Sequence, residues 1–438
     1  MAEIRPFRGV RYNEALVTDL AAVICPPYDV ITPQIVQELY RRSEYNFIRL
    51  EYGHQLPPGA DTSDQHAHAP AILEQWLKLG ILKTDQNPTI YLHDHYFTYY
   101  GKEYMRRGIL TSVRLEEWDK MVIRPHEGTL ARAKDDRLTL LWTLGANTSP
   151  ILALFSDKAQ RIASLLNLES QKQPLISLSS ATEGSHNIWA ITEPKTISQI
   201  SAQLAQNPLY IADGHHRYES ALTFKRERQA CAGAASGDEE FNFAMMTLVD
   251  FADPGLINLS PHRLVRGLPR TTLNELRAKL DLVFEVTELP LSTPDVWQRV
   301  DLLLADDSSR QSSFVLFGLS AECLLVLKLR DLDTTRQMIP YFHGELYSKL
   351  NVSILDHVIL EEMLGLGSDS NETFIAFSHE KEDAVKRVLD QEYQLAFLLS
   401  PVTAETVKAI ADNGERMPRK STYFYPKVPA GLIFRRLD

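Results

Sequence analysis

Along the chain, apolar positions recur at helical spacing in some stretches and form short unbroken runs in others. Thr32-Pro33 reads as an N-cap followed by proline at the first helical position, and Ile35, Val36, Leu39 and Tyr40 then line one face. A second helix carries Ile72, Leu73, Trp76 and Leu77 and stops at Gly80. Residues 89–100 and 103–118 read as two strands joined at Gly101-Lys102. Residues 135–144 read as a helix and 150–155 as a buried strand. A strand at 209–212 meets Asp213-Gly214 and then a helix to about Arg228, and a further strand covers 243–250.

Beyond residue 270, helices near 271–280, 294–304, 351–364 and 380–390 alternate with strands near 312–318, 322–329, 372–377 and 394–399. The reading is α+β, with mixed sheets flanked by helices. It divides the chain into an N-terminal α+β domain, 1–270, and a C-terminal α/β domain, 271–438, whose KSTYFYPK segment returns to the site. Loops are expected at 53–69 and 231–240, and a linker at 170–184.

Composition narrows the classes. At roughly 150 residues per domain, 438 residues suggest two or three domains. Apolar residues make up 44%, enough for a packed core. Lys and Arg number 46 against 57 Asp and Glu, a net charge of −11, which argues against a nonspecific nucleic-acid binder. Three scattered cysteines form neither a disulfide framework nor a thiolate zinc site. No run reaches the roughly 20 apolar residues of a membrane helix, and no signal peptide is evident, so the expected setting is the cytoplasm.

Three blocks concentrate the polar chemistry. In ADGHHRYESAL (212–222) a strand meets Asp213 and Gly214, and a helix starts with His215, His216 and Arg217. A helix N-terminus offers unpaired N–H groups and a positive dipole end to an anion, and Gly214 permits close approach. The competing reading has Asp213 capping the helix and the basic residues solvated. In the second block, 121–141, Arg124, His126, Glu127, Thr129, Lys134 and Arg137 lie in one short run. Cations to neutralise phosphate and a carboxylate to take a hydroxyl proton are what phosphoryl transfer asks of a protein. The competing reading is a salt-bridged helix start. The third block, PRKSTYFYPK (418–427), carries Lys420, Ser421 and Thr422 without the glycines of a P-loop. His262 and Arg263 are further ligand-facing candidates, and Asp29 in PPYDVI is a weaker one.

These blocks, together with RPHEGTL, ANTSPI, DPGLI and PHRLV, resemble the signatures of a bacterial and archaeal family known as domain of unknown function 1015. ADGHHR also resembles the Asp-Gly-His turn of the ParB/sulfiredoxin-like superfamily, which includes free-serine kinases. The resemblance implies a ParB/sulfiredoxin-like element and a kinase converting free L-serine to O-phosphoserine, with pyrophosphate, ATP or ADP as donor. Glu127 and Asp213 would be catalytic, with Asp213 also the Mg²⁺ ligand. Arg124, His126, Thr129, Lys134, Arg137, Gly214, His215, His216 and Arg217 would cradle phosphate. His262, Arg263, Lys420, Ser421 and Thr422 would bind substrate. Mg²⁺ is implied by the chemistry alone, and the partners are a small-molecule substrate and a phosphate donor. A ParB-like nucleotide- or DNA-binding protein without turnover, and a phosphoester hydrolase, are the alternatives. Oligomeric state is left open.

Overall fold

The computed structural model describes residues 1–53, 66–180, 184–232, 236–305, 312–367 and 371–437. The chain forms two compact units. Unit 1 comprises 1–125, 129–257 and 424–438; unit 2 comprises 126–128 and 258–423.

Unit 1 is built on a nine-stranded mixed sheet: β1 (Ile4–Arg5), β2 (Ile90–Tyr99), β3 (Lys102–Arg114), β4 (Ile123–Arg124), β5 (Ile151–Phe155), β6 (Ile176–Ser180), β7 (Gly184–Ile191), β8 (Leu209–Asp213) and β9 (Phe243–Asp250). The order is β4-β8-β5-β9-β3-β2-β7-β6, with β1 also paired to β3. Two neighbours are parallel, β4 with β8 and β9 with β5. Helices α1 (Pro33–Arg42), α2 (Ala69–Lys78), α3 (Ala131–Leu144) and α4 (His215–Ala232) belong to this unit.

The sheet is covered on both faces, which the period-2 geometry of strands makes visible. Tyr91, Leu110, Ile188 and Met245 join one apolar cluster, while their neighbours Leu92, Ile109, Trp189 and Met246 join another. Strand β5, Ile-Leu-Ala-Leu-Phe, is therefore apolar at every position and wholly buried. The β2–β3 hairpin turns at Tyr100 and Gly101, both at positive φ (45° and 73°), one residue before the expected turn.

Unit 2 contains a six-stranded sheet: β10 (His262–Val265), β11 (Phe284–Pro290), β12 (Ser313–Phe317), β13 (Cys323–Leu329), β14 (Ile375–Ser378) and β15 (Leu395–Leu398), in the order β11-β13-β12-β15-β10-β14. All five pairings are antiparallel, so this unit is not the α/β domain its alternating pattern suggested. The fold class of the chain is α+β.

The units also differ from contiguous halves divided at 270. Strand β10 pairs with β14 and β15 and so belongs to unit 2. The C-terminus belongs to unit 1, because Arg435–Arg436 pairs with Ala146–Asn147 and Phe434 bridges Val10. The expected linker 170–184 contains β6, which pairs with β7. Residues 371–374 are helical, and only Ile375–Ser378 forms the strand expected there. Most of the 53–69 loop and the centre of 231–240 lie outside the described residues. Among the described residues, no helix is long and apolar enough to cross a membrane.

Two buried histidines make stability depend on pH. His93 hydrogen-bonds His186 at 2.9 Å; burial, then His186 and Arg106, holds its imidazole well below the usual 6.5. His262 accepts from the Leu399 amide at 3.3 Å and is pushed down to about 3 by burial, then by His379, Arg263 and Lys381. Both rings are neutral in the fold, whereas the unfolded chain protonates them below about pH 6.5. Their contribution is complete above that pH and falls on acidification, by up to about 1.4 kcal/mol per pH unit for each ring. Urea denaturation at pH 7.5 and 5.5 should show the loss, and His262→Gln should flatten it. Equal stability at the two pH values contradicts this account.

Candidate functional site in each unit

In unit 1, β8 delivers Asp213 from an apolar strand to the start of α4. Gly214 between them has φ +92°, and a Cβ there would sit 2.8 Å from Arg217 Nε, so glycine is required. Arg217, one turn into α4, donates to Asp213 Oδ2 at 2.5 Å. Lys427 donates to Asp213 Oδ1, and its Nζ lies 3.3 Å from Asp29 Oδ2. Burial would raise the Asp213 carboxyl, but Lys427, Arg217 and His215 together hold it well below the usual carboxylate range.

Whether residues 124–137 and 209–222 share one site is open from the sequence; in unit 1, residues of 124–125 and 129–137 contact 209–222, and 126–128 belong to unit 2. Arg124 lies opposite Tyr210 across the parallel β4–β8 pair and donates to its hydroxyl at 3.2 Å. Thr129 donates to Glu219 at 2.6 Å, the Leu130 amide donates to His216 Nε2 at 2.9 Å, and Lys134 lies 3.2 Å from Glu219. These contacts, with Ser220 donating to the Lys134 carbonyl at 2.8 Å, align α3 beside α4.

The same contacts correct part of the phosphate cradle. Arg137 is buried and donates to Asp136 at 2.6 Å and to Glu51 at 3.2 Å, with its guanidinium 4.1 Å from the Tyr28 ring centre. Lys134 and Arg217 have carboxylate partners, and His216 supports a backbone amide. Their charge is spent inside the protein because buried or half-buried cations need compensation.

In unit 2, Glu127 forms a parallel bridge with Met417, and the Met417 amide donates to the His126 carbonyl at 2.7 Å. Glu127 Oε1 accepts three hydrogen bonds: from the Ser421 amide at 3.0 Å, the Thr422 amide at 2.8 Å and the Thr422 hydroxyl at 2.7 Å. That hydroxyl also bonds His126 Nε2 at 2.9 Å. Because Thr422 gives its proton to Glu127, it accepts from the imidazole. Lys420 adopts φ +56° at this bend, and its carbonyl accepts from Arg263 at 3.0 Å.

The donors of Ser421 and Thr422 thus hold the protein's own Glu127. Arg263 is almost wholly buried and is 3.4 Å from Asp356. His262 is buried in β10. Arg263 supports the segment from within the fold, and His262 instead accepts from the Leu399 amide.

The residues do not fit a resident Mg²⁺ at Asp213. Each of its oxygens is taken by a cation, and no group of three or more His, Cys, Asp or Glu residues suited to a metal occurs among the described residues.

Sequence reasoning gave no role to Lys427, Glu51 or Glu219. Lys427 lay in the quoted PRKSTYFYPK block, where the aromatic residues masked it. Glu51 had only a weak signal, a carboxylate that follows Phe47, Ile48 and Leu50, all three fully buried, with Arg49 among them.

A family described as "Protein of unknown function (DUF1015)" matches residues 4–353. No curated protein matches the sequence. Similar solved structures include a conserved hypothetical protein from Pyrococcus furiosus, 16% identical, covering 74% of this chain and 93% of that one at a TM-score of 0.35. A free serine kinase in complex with AMP is 16% identical, with 74% and 92% coverage and a TM-score of 0.35. SbnI from Staphylococcus aureus is 10% identical, with 73% and 84% coverage and a TM-score of 0.33.

Replacing Asp213 leaves Arg217 without its carboxylate and Lys427 with Asp29. Asp213→Asn should lower the unfolding free energy by about 3–5 kcal/mol, read by urea denaturation at pH 7. A loss below about 1 kcal/mol, as for an exposed pair, contradicts the assignment.

Proposed function

Since the chain belongs to the DUF1015 family, whose description names no activity, we propose from the geometry that it is a small-molecule phosphotransferase. Its acceptor is the hydroxyl of free L-serine and its product is O-phosphoserine. One observation carries the reading: the three-fold anchoring of Glu127 Oε1 by the 421–422 amides and the Thr422 hydroxyl. A carboxylate needed only for charge balance could pair with a lysine. Here one oxygen is fixed by neutral donors, and no hydrogen bond to Oε2 is found among the described residues. That arrangement suits a base that must be held in one orientation.

Glu127 takes the proton of the acceptor hydroxyl as its oxygen attacks the terminal phosphorus. The bond from phosphorus to the bridging oxygen breaks, and the leaving phosphate departs with the electron pair. Unit 1, taken by itself, offers a feature that suits a phosphate group: the positive dipole end at the first turn of α4, beside Gly214. Pyrophosphate is the donor favoured by the family resemblance, with ATP and ADP as substitutes. The choice of serine rests on the resemblance of the ADGHHR block to free-serine kinases.

Glu127→Gln keeps the shape and the Oε1 acceptor but cannot take a proton. It should lower turnover about 10²–10⁴-fold while leaving donor affinity and thermal melting unchanged. Phosphoserine formation is measured by mass spectrometry with serine and each donor. Full activity in the variant removes Glu127 from its role. Phosphate release without phosphoserine in the wild type identifies a hydrolase instead.

A further inference from the structure

Unit 1 contains a small cavity of about 30 Å³ lined by residues that include Glu51, Arg137, Ser149, Arg217 and Ala221. Two side-chain atoms of its lining are buried and have no hydrogen-bond partner among the described residues: Glu51 Oε2 and Arg217 Nε. Glu51 is completely buried. Its other oxygen, Oε1, is occupied by Ser149 Oγ at 2.5 Å and Arg137 at 3.2 Å. A buried carboxylate oxygen without a donor is costly, so Oε2 asks for a guest that donates.

The surrounding charges say which kind. Unit 1 holds two ion groups here: Glu51 and Asp136 share Arg137, while Lys427 links Asp29 to Asp213, which also pairs with Arg217. His66 also contacts Asp136, at 3.2 Å. Arg106, which feels Asp213 from farther off, has Asp253 as its first electrostatic partner. Glu51 and Asp136 thus share one arginine, and the orphaned Oε2 belongs to a residue of the cavity lining. A cavity that holds one or two water-sized groups admits an ammonium headgroup but not a whole metabolite. Arg217 Nε supplies a donor for an oxygen on the same guest.

We propose that this cavity is an ammonium subsite, and that Glu51 makes the protein select hydroxyl-bearing primary amines. The inference rests on the phosphotransfer reading only for its choice of a hydroxylated ligand. An ammonium bound at Oε2 supplies the missing hydrogen bond as a charge-assisted one. The segment that carries Glu51 is fixed by its apolar neighbours, so the carboxylate is placed before the ligand arrives.

The test is calorimetric titration of the full-length protein, without donor, with L-serine and with 3-hydroxypropanoate, which lacks only the amino group. L-serine should bind roughly tenfold or more tightly than the des-amino compound. Glu51→Gln should abolish that preference through weaker serine binding, with 3-hydroxypropanoate little changed. Ala221→Val, which fills the cavity and removes no charge, should weaken serine in the same way and carries the test if Glu51→Gln fails to fold. Equal binding of the two compounds to the wild type overturns the inference, leaving the cavity to water. So does a folded Glu51→Gln variant that keeps the preference. A retained ammonium preference without phosphoserine formation would overturn the phosphotransfer reading and leave this subsite standing.

Discussion

Asp213 ends a buried strand, and its carboxylate is held ionised by Lys427 and Arg217. Much of unit 1 depends on that arrangement. The ion group joins three distant parts of the sequence: the turn at Asp29, the β8–α4 junction and the C-terminal segment. Such a group is not a cheap source of stability, because each charge must first lose its water. Its effect is to specify geometry. With Asp213 fixed and Gly214 in the left-handed region, α4 starts at a defined point and presents its first-turn amides in a defined direction. A side chain on Gly214 would push against the guanidinium that completes the group.

Unit 2 solves a related problem with neutral donors. Glu127 is held at Oε1 by two amides and a hydroxyl, and His126 locks that hydroxyl from behind. The bend at Lys420 aims the amides, and Arg263 ties down the Lys420 carbonyl. The two units therefore hold their key carboxylates differently. Asp213 is neutralised by cations and is poorly placed to accept a proton. Glu127 is oriented without a counter-cation bonded to Oε1, which suits proton transfer.

Elements with strong periodicity were legible in the sequence. The helix after Thr32 and the strand entering Asp213-Gly214 appear where the pattern put them, because local propensity and burial agree. Strand β11 was missed: it is an edge strand whose central residues are mostly exposed, so it carries little apolar signal. The nine-residue π-helix Leu355–Met363 has no sequence signature of its own and was read as part of an ordinary helix. Among the candidate site residues, types and blocks were legible but partners were not. Lys134 looked like a phosphate ligand because its carboxylate, Glu219, lies 85 residues away in sequence, and Arg137 pairs both with its neighbour Asp136 and with Glu51, 86 residues away. Glu127 and Thr422 are 295 residues apart, and only the fold shows that the donors of Ser421 and Thr422 hold Glu127.

The central claim is that this chain moves a phosphoryl group onto a hydroxyl. Phosphorus NMR of the wild-type protein with L-serine, Mg²⁺ and pyrophosphate tests it most directly, with ATP and ADP as parallel donors. The account predicts a phosphoserine resonance that grows in step with the dephosphorylated donor product, one for one. Phosphate alone, or no change with any donor from a folded protein, would contradict it.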